Sequence, residues 1–80
     1  MMGAHEEGVM STADRLVYMA NQIARNLAAE GEERATDMVA DHIRSFWDPA
    51  MRRNIIRLAG ERPEALSPIA AAAVGRIAAS

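Results

Sequence analysis

The segment Phe46-Trp47-Asp48-Pro49 constrains the fold of this 80-residue chain more than any other short segment. It contains the only Phe and the only Trp, and it separates two stretches with apolar residues at helical spacing. Asp-Pro is a helix-start signal, because the carboxylate accepts free backbone N–H groups of the first turn and Pro loses no donor there. We expect one helix to end at Phe46 and another to begin at Pro49. The aromatic pair then serves either the core or a partner's surface.

Similar signals divide the rest of the chain. Ser11 is a good N-cap for the first helix, Gly31 ends that helix, Gly60 ends the third, and Ser67 with Pro68 begins the last. The predicted helices cover about residues 12–29, 32–46, 49–59 and 68–78. No stretch alternates with period two, so the predicted fold class is all-α, a compact bundle of three to four short amphipathic helices. Residues 11–80 are expected to form a single domain after a disordered tail at 1–10.

The apolar stripes of the helices predict the core. Its members are Leu16, Met19, Ile23, Leu27, Met38, Val39, Ile43, Phe46, Ile55 and Leu58. If each side chain contributes about 1.5–3 kcal/mol on burial, their sum falls well below the cost in chain entropy. We therefore expect a domain that is marginally stable alone and associates with something larger.

Composition excludes several classes of protein. With no Cys there is no disulfide framework and no Cys-based metal site. The longest purely apolar run, from Ile69 to Val74, is far shorter than the ~20 residues that cross a bilayer. The first ten residues carry Glu6 and Glu7 without a basic start, unlike a signal or transit peptide.

Charge is unevenly distributed, although the net charge is only −2. Residues 30–41 hold five acids against one Arg, whereas residues 44–62 hold five Arg against two acids. The simpler interpretation is attraction between two neighbouring antiparallel helices. The more specific interpretation is that Arg52 and Arg53 bind an anion near a helix N-terminus. The acidic balance and the lack of Lys argue against a nucleic-acid binder, including a helix-turn-helix regulator.

No catalytic motif is present. The two histidines, His5 and His42, lie far apart and do not match metal-ligand spacing. A lone His on an apolar helix face, as at position 42, is more often a half-buried core residue than a ligand. The methionines at 19, 38 and 51 are expected to fill the core, with an adaptable docking surface as the rival role. For Trp47, core and interface remain equally open.

Two motifs of the chain are similar to those of a known family. Met-Ala-Asn-Gln-Ile occupies residues 19–23, and His-x-x-x-Phe-Trp-Asp-Pro-x-Met-Arg occupies residues 42–52. Together they make the chain resemble the delta subunit of NAD-dependent formate dehydrogenase. The resemblance covers most of residues 14–58 and extends loosely to residue 73.

This resemblance implies a small accessory subunit of a cytoplasmic molybdenum enzyme, without catalytic residues or cofactors of its own. The alpha subunit of such a complex carries molybdopterin guanine dinucleotide, and the complex also carries iron–sulfur clusters, FMN and NAD. The implied role is in assembly or stability of the complex. A second hypothesis is a transient maturation chaperone whose arginines at 44, 52, 53 and 57 bind the pyrophosphate of the guanine dinucleotide cofactor.

The residues themselves and the family resemblance lead to the same prediction. The chain provides an interaction surface for a partner and no catalytic group. Adjacent Asn and Gln are weakly favoured inside helices, which suggests that they make specific hydrogen bonds. Plain solvation is the alternative. The residues expected to contact the alpha subunit are Asn21, Gln22, Arg25, His42, Phe46, Trp47, Asp48, Pro49, Met51 and Arg52.

Overall fold

A computed structural model describes residues 11–79, and the predicted tail at 1–10 lies outside them. Within that range the α-helices are α1 (Thr12–Leu27), α2 (Glu32–Phe46), α3 (Pro49–Glu61) and α4 (Pro68–Ala79). Short 3-10 turns, Ala28–Glu30 and Pro63–Ala65, follow α1 and α3. The described part of the chain contains no strand, and the predicted all-α bundle is confirmed.

Side-chain caps begin three of the helices, as the sequence predicted. The Ser11 hydroxyl accepts a hydrogen bond of 3.0 Å from the backbone N–H of Asp14. The Asp48 carboxylate accepts one of 2.8 Å from the N–H of Met51. The Ser67 hydroxyl accepts one of 3.3 Å from a first-turn N–H of α4. These bonds satisfy donors that have no partner within their own helix, which is why the helices begin where they do.

The two expected glycine stops behave differently. Gly31 ends the link after α1 with a φ of 98°, a left-handed conformation that suits Gly. Gly60, in contrast, lies inside α3, which continues to Glu61, so the prediction that it ends the helix is wrong. An internal Gly costs a helix only about 1 kcal/mol. The helix ends instead just before Pro63, because the residue preceding a proline is disfavoured in helical conformation.

The core lies mainly between α2 and α4, the two helices in most extensive contact. Their buried apolar residues are Ala35, Val39, Ala40, Ile43, Ala70, Ala73, Val74 and Ile77. Half of these are alanines, whose small side chains let helix backbones approach closely. The buried Thr36 hydroxyl donates a hydrogen bond of 2.8 Å to the carbonyl oxygen of Glu32, so it is satisfied within α2.

The predicted core is partly confirmed. Five of its members are fully buried: Leu16, Val39, Ile43, Ile55 and Leu58. Three others are half-buried: Ile23, Leu27 and Met38. The prediction is wrong for Met19 and Phe46, which are 39% and 75% exposed. Trp47, Leu66 and Ala70 are buried although the predicted core omitted them.

The error at Phe46 has a physical cause. The predicted apolar stripe of α2 was too wide, because it joined residues 38, 42 and 46 to Val39 and Ile43. Only the Val39 side of this stripe is buried, and the buried row continues to Trp47, because α4 packs on the side of Ala40. Alanine is only weakly apolar, so an alanine-lined contact gives little signal in a sequence pattern.

The acidic helix α2 and the Arg-rich helix α3 do not pack side by side, although their opposite charges predicted this. The predicted side-by-side pairing of α2 with α3 is wrong, since α2 packs mainly on α4 and α1. Ion pairs between distant parts of the chain join Arg62, which follows α3, to Asp14 of α1, at 3.6 Å, and Arg76 of α4 to Asp37 of α2. These side chains are all substantially exposed, so such pairs contribute little to stability. Among residues 11–79, no helix has both the length and the apolar character needed to cross a bilayer.

Candidate partner-binding surface

The ten residues predicted to bind a partner do not form one site. One group builds the corner between α2 and α3, and Asn21 joins α1 to the segment before α4. The remaining residues, Gln22, Arg25, His42 and Phe46, lie at least partly exposed on α1 or α2.

The Trp-Asp-Pro corner is structural. Trp47 is 4% exposed and belongs to the core, which is the first of the two roles left open for it. Asp48 caps α3, and Pro49 is the first residue of that helix. The guanidinium of Arg52 donates a hydrogen bond to the Trp47 carbonyl oxygen, while Met51 packs half-buried against the core. These residues hold the angle between α2 and α3.

Asn21 is likewise engaged within the chain. Its Nδ2 donates to the carbonyl oxygen of Ala65 at 2.9 Å, and its Oδ1 accepts from the N–H of Ser67 at 2.8 Å. The expectation that an amide on α1 makes specific hydrogen bonds is therefore correct, but the partner is this chain's own backbone. Gln22 is half-buried and Arg25 is exposed.

Arg25 lies beside a cleft of about 610 Å³ between α1 and the segment that leads into α4. Ala24, Ala28 and Ile69 line its apolar part. Glu32 and Glu64 line it together with Arg25, and none of these three charged residues forms an ion pair with another residue of the described range. The cleft thus leaves the Arg25 guanidinium available to a partner.

Phe46 provides the most exposed large apolar side chain among residues 11–79. Its ring lies 4.9 Å from that of half-buried His42, centroid to centroid, at an interplanar angle of 40°. The two rings border a hollow of about 380 Å³ that Leu27 and Met38 also line. We call these four residues, Leu27, Met38, His42 and Phe46, the Phe46 surface. An aromatic side chain left in water beside a hollow is typical of a binding site.

The sequence analysis assigned three of the four residues of the Phe46 surface, Leu27, Met38 and Phe46, to the core. Leu27 and Met38 were expected inside, and Met19, one turn before Ile23, was too. A usable signal existed, because Met19, Ile23 and Leu27 repeat the spacing of four that Met38, His42 and Phe46 show on the next helix.

The arginines proposed to bind an anion are mostly engaged within the chain. Arg44 contacts Asp41 at 3.4 Å, and Arg57 contacts Glu61 at 3.1 Å. Arg52 bonds the Trp47 carbonyl, as described above. Arg53 is exposed. An anion at this position would compete with these contacts.

Fold and surface define a class: a small all-helical protein that presents an exposed aromatic surface beside a hollow. The family model described as "NADH-dependant formate dehydrogenase delta subunit FdsD" matches residues 15–74, which include all or most of each helix. The chain belongs to this family, which confirms the resemblance found in its two motifs. No curated protein and no solved structure matches the chain.

Proposed function

We propose that this formate dehydrogenase delta subunit is an accessory subunit that supports assembly or stability of the molybdenum-containing alpha subunit in the cytoplasm. The family makes the chain a subunit of formate dehydrogenase. The proposal adds that it carries no catalytic residue and no cofactor of its own. The molybdopterin guanine dinucleotide, iron–sulfur clusters, FMN and NAD then belong to the other subunits.

The exposure of Phe46 is the observation that carries this proposal. A chain with so few large apolar residues leaves one of its three aromatic side chains 75% exposed while it buries alanines. Burying a Phe side chain contributes roughly 1.5–3 kcal/mol. Because the free chain leaves Phe46 in water, this free energy is available to stabilise a complex with a partner that covers it. Aromatic residues next to hollows are common anchors at protein interfaces.

Co-purification with the alpha subunit tests the proposal. We expect the unaltered chain to be recovered with the enzyme in stoichiometric amount, and Phe46→Ala to be lost from it. Arg25→Glu tests the neighbouring cleft in the same assay. Tyr18→Ala is the matched aromatic control, since Tyr18 is 56% exposed and lies about 100° around α1 from Met19. Circular dichroism checks that each variant keeps its helices.

The outcomes separate the alternatives. Normal recovery of both Phe46→Ala and Arg25→Glu would contradict the assignment of the Phe46 surface and the Arg25 cleft to the contact with the alpha subunit. Absence of the unaltered chain from active enzyme, combined with tight binding of the guanine dinucleotide cofactor by the isolated chain, would favour the transient maturation chaperone instead.

A further inference from the structure

The Arg25 cleft has one wall on α1 and the other on the segment that leads into α4. Residues 64–69 form the second wall, and Glu32, the first residue of α2, also lines the cleft. The first wall consists of four residues at the spacing i, i+3, i+4 and i+7, which places them on one helix face: Asn21, Ala24, Arg25 and Ala28.

The side-chain amide of Asn21 connects the two walls. Its Nδ2 donates to the carbonyl oxygen of Ala65 at 2.9 Å, and its Oδ1 accepts from the backbone N–H of Ser67 at 2.8 Å. These bonds fix the backbone on both sides of Leu66, which lines the cleft and is 7% exposed. The cleft is therefore already formed in the free chain, as most binding pockets are.

Three charged side chains line this otherwise mostly apolar cleft. They belong to Arg25, Glu32 and Glu64, all of which are exposed. None of the three forms an ion pair within residues 11–79, whereas five other arginines of the same range do. The cleft thus combines an apolar lining with charges that this chain leaves unpaired.

A partner that covers the cleft has to pair these charges. Covering removes them from water, and a charge that stays unpaired under an interface is strongly unfavourable. The guanidinium of Arg25 requires a carboxylate, and the carboxylates of Glu32 and Glu64 require a basic group. Because there are two carboxylates and one guanidinium, pairing Arg25 with one of these acids still leaves the other without a cation.

The lining excludes several occupants and favours one. A nucleic acid or an anionic membrane would place phosphates against Glu32 and Glu64, which is unfavourable. An uncharged molecule would leave all three charges unpaired. Ala24, Ala28 and Ile69 line the apolar part, and the short alanine side chains leave room there for a larger apolar side chain. The cleft therefore fits a protein segment with an apolar residue and charges of both signs.

We propose that the Arg25 cleft binds a segment of another formate dehydrogenase subunit in which an apolar residue lies between an acidic and a basic residue. This inference rests on the proposed function and names the chemistry of the segment that the delta subunit recognises. The acidic residue pairs with Arg25, and the basic residue pairs with Glu32 or Glu64. The apolar side chain packs on the alanines of α1.

Charge reversal on each side of the cleft reports the charges of the occupant. We expect Arg25→Glu and Glu64→Arg each to lower recovery of the chain with the complete enzyme by about tenfold at low salt, because each places like charges together. Arg53→Glu and Glu33→Arg are the matched controls, since both residues are exposed and neither lines the cleft. We expect both controls to be recovered like the unaltered chain.

The direction of each effect separates the possible occupants. Increased recovery of Glu64→Arg would indicate a wholly acidic occupant, and increased recovery of Arg25→Glu a wholly basic one. Either result would overturn the inference, and so would recovery of both variants at the level of their controls. These results leave the proposed function intact if the unaltered chain is recovered and Phe46→Ala is lost. Loss of the unaltered chain itself would contradict both proposals.

Photo-crosslinking identifies the occupant directly. Photo-leucine, a diazirine analogue of Leu, replaces Ile69, and the chain is assembled into the complete enzyme, irradiated and digested. We expect the attached peptide to come from another subunit and to contain an apolar residue with an acidic and a basic residue beside it. A peptide from a second delta chain, or from residues 1–10 of this chain, would contradict the inference.

Discussion

The side-chain oxygen of Asn21 accepts a hydrogen bond of 2.8 Å from the backbone N–H of Ser67, 46 positions later in the chain. The same amide donates to the carbonyl oxygen of Ala65, so one side chain bonds both sides of the turn that precedes α4. Ser67 in turn caps α4. A polar residue on α1 thereby sets where the last helix begins, and with it how α4 lies against α2.

Replacing Asn21 should destabilise the whole bundle. Asn21→Ala removes two part-buried hydrogen bonds, and we expect the free energy of unfolding to fall by about 2 kcal/mol. Asn26→Ala is the control, because Asn26 is exposed on the same helix. Urea denaturation followed by circular dichroism measures both. Equal stability of the two variants would show that the Asn21 bonds make no net contribution.

The two neighbouring aromatic residues should differ sharply in their contribution to stability. Trp47→Ala empties part of the core, and the expected loss in unfolding free energy is about 3–5 kcal/mol. Phe46→Ala should change it by no more than about 0.5 kcal/mol, because the side chain is mostly in water. The measurement is again urea denaturation of the isolated chain. A larger loss for Phe46→Ala than for Trp47→Ala would reverse the assignment of core and surface.

The contact between α2 and α4 should tolerate no added volume at its alanines. Ala73 is fully buried, so Ala73→Leu is expected to cost about 1–3 kcal/mol through overpacking. Ala72→Leu places the same side chain at an exposed position one residue earlier. Since Leu and Ala have similar helix propensities, this variant should stay close to the original stability. Thermal unfolding of the pair provides the comparison, and indistinguishable midpoints would argue against close packing here.

The cap of α3 should be replaceable by another cap. Asp48→Ala loses the hydrogen bond to the Met51 N–H, with an expected cost of about 0.5–2 kcal/mol. Asp48→Ser should restore most of this loss, because a hydroxyl accepts the same bond. Denaturation midpoints report both effects. If Ser were no better than Ala, the contribution of Asp48 would have to come from something other than capping.

The ends of the helices were largely predictable because they depend on residues close in sequence. Ser11, Asp48 and Ser67 satisfy backbone donors within three positions, and Gly31 accepts the one positive φ among the described residues. The end of α3 was not predicted, since Gly60 permits a stop without requiring one. The two motifs at 19–23 and 42–52 also sufficed to find the family.

The candidate surface was only partly predictable from the sequence. His42 and Phe46 were expected at a partner contact, and they lie exposed or half-exposed beside a hollow. Asn21, Trp47 and Asp48 were expected there too, but their side chains serve the fold. Amide, indole and carboxylate side chains can contact a partner or stabilise the bundle itself. Which of these two roles each side chain has depends on where the other helices lie, and a local sequence pattern does not contain that information.

The sequence by itself determined four helices, their caps and the family, because each depends on local hydrogen bonds or on contiguous motifs. It could not determine which of two adjacent aromatic residues faces inward. Phe46 is the last residue of α2 and Trp47 follows it in extended conformation, so local structure allowed either side chain to be buried. The tertiary structure decided for Trp47, because the packing of the distant helices encloses it in the core and leaves Phe46 beside the hollow.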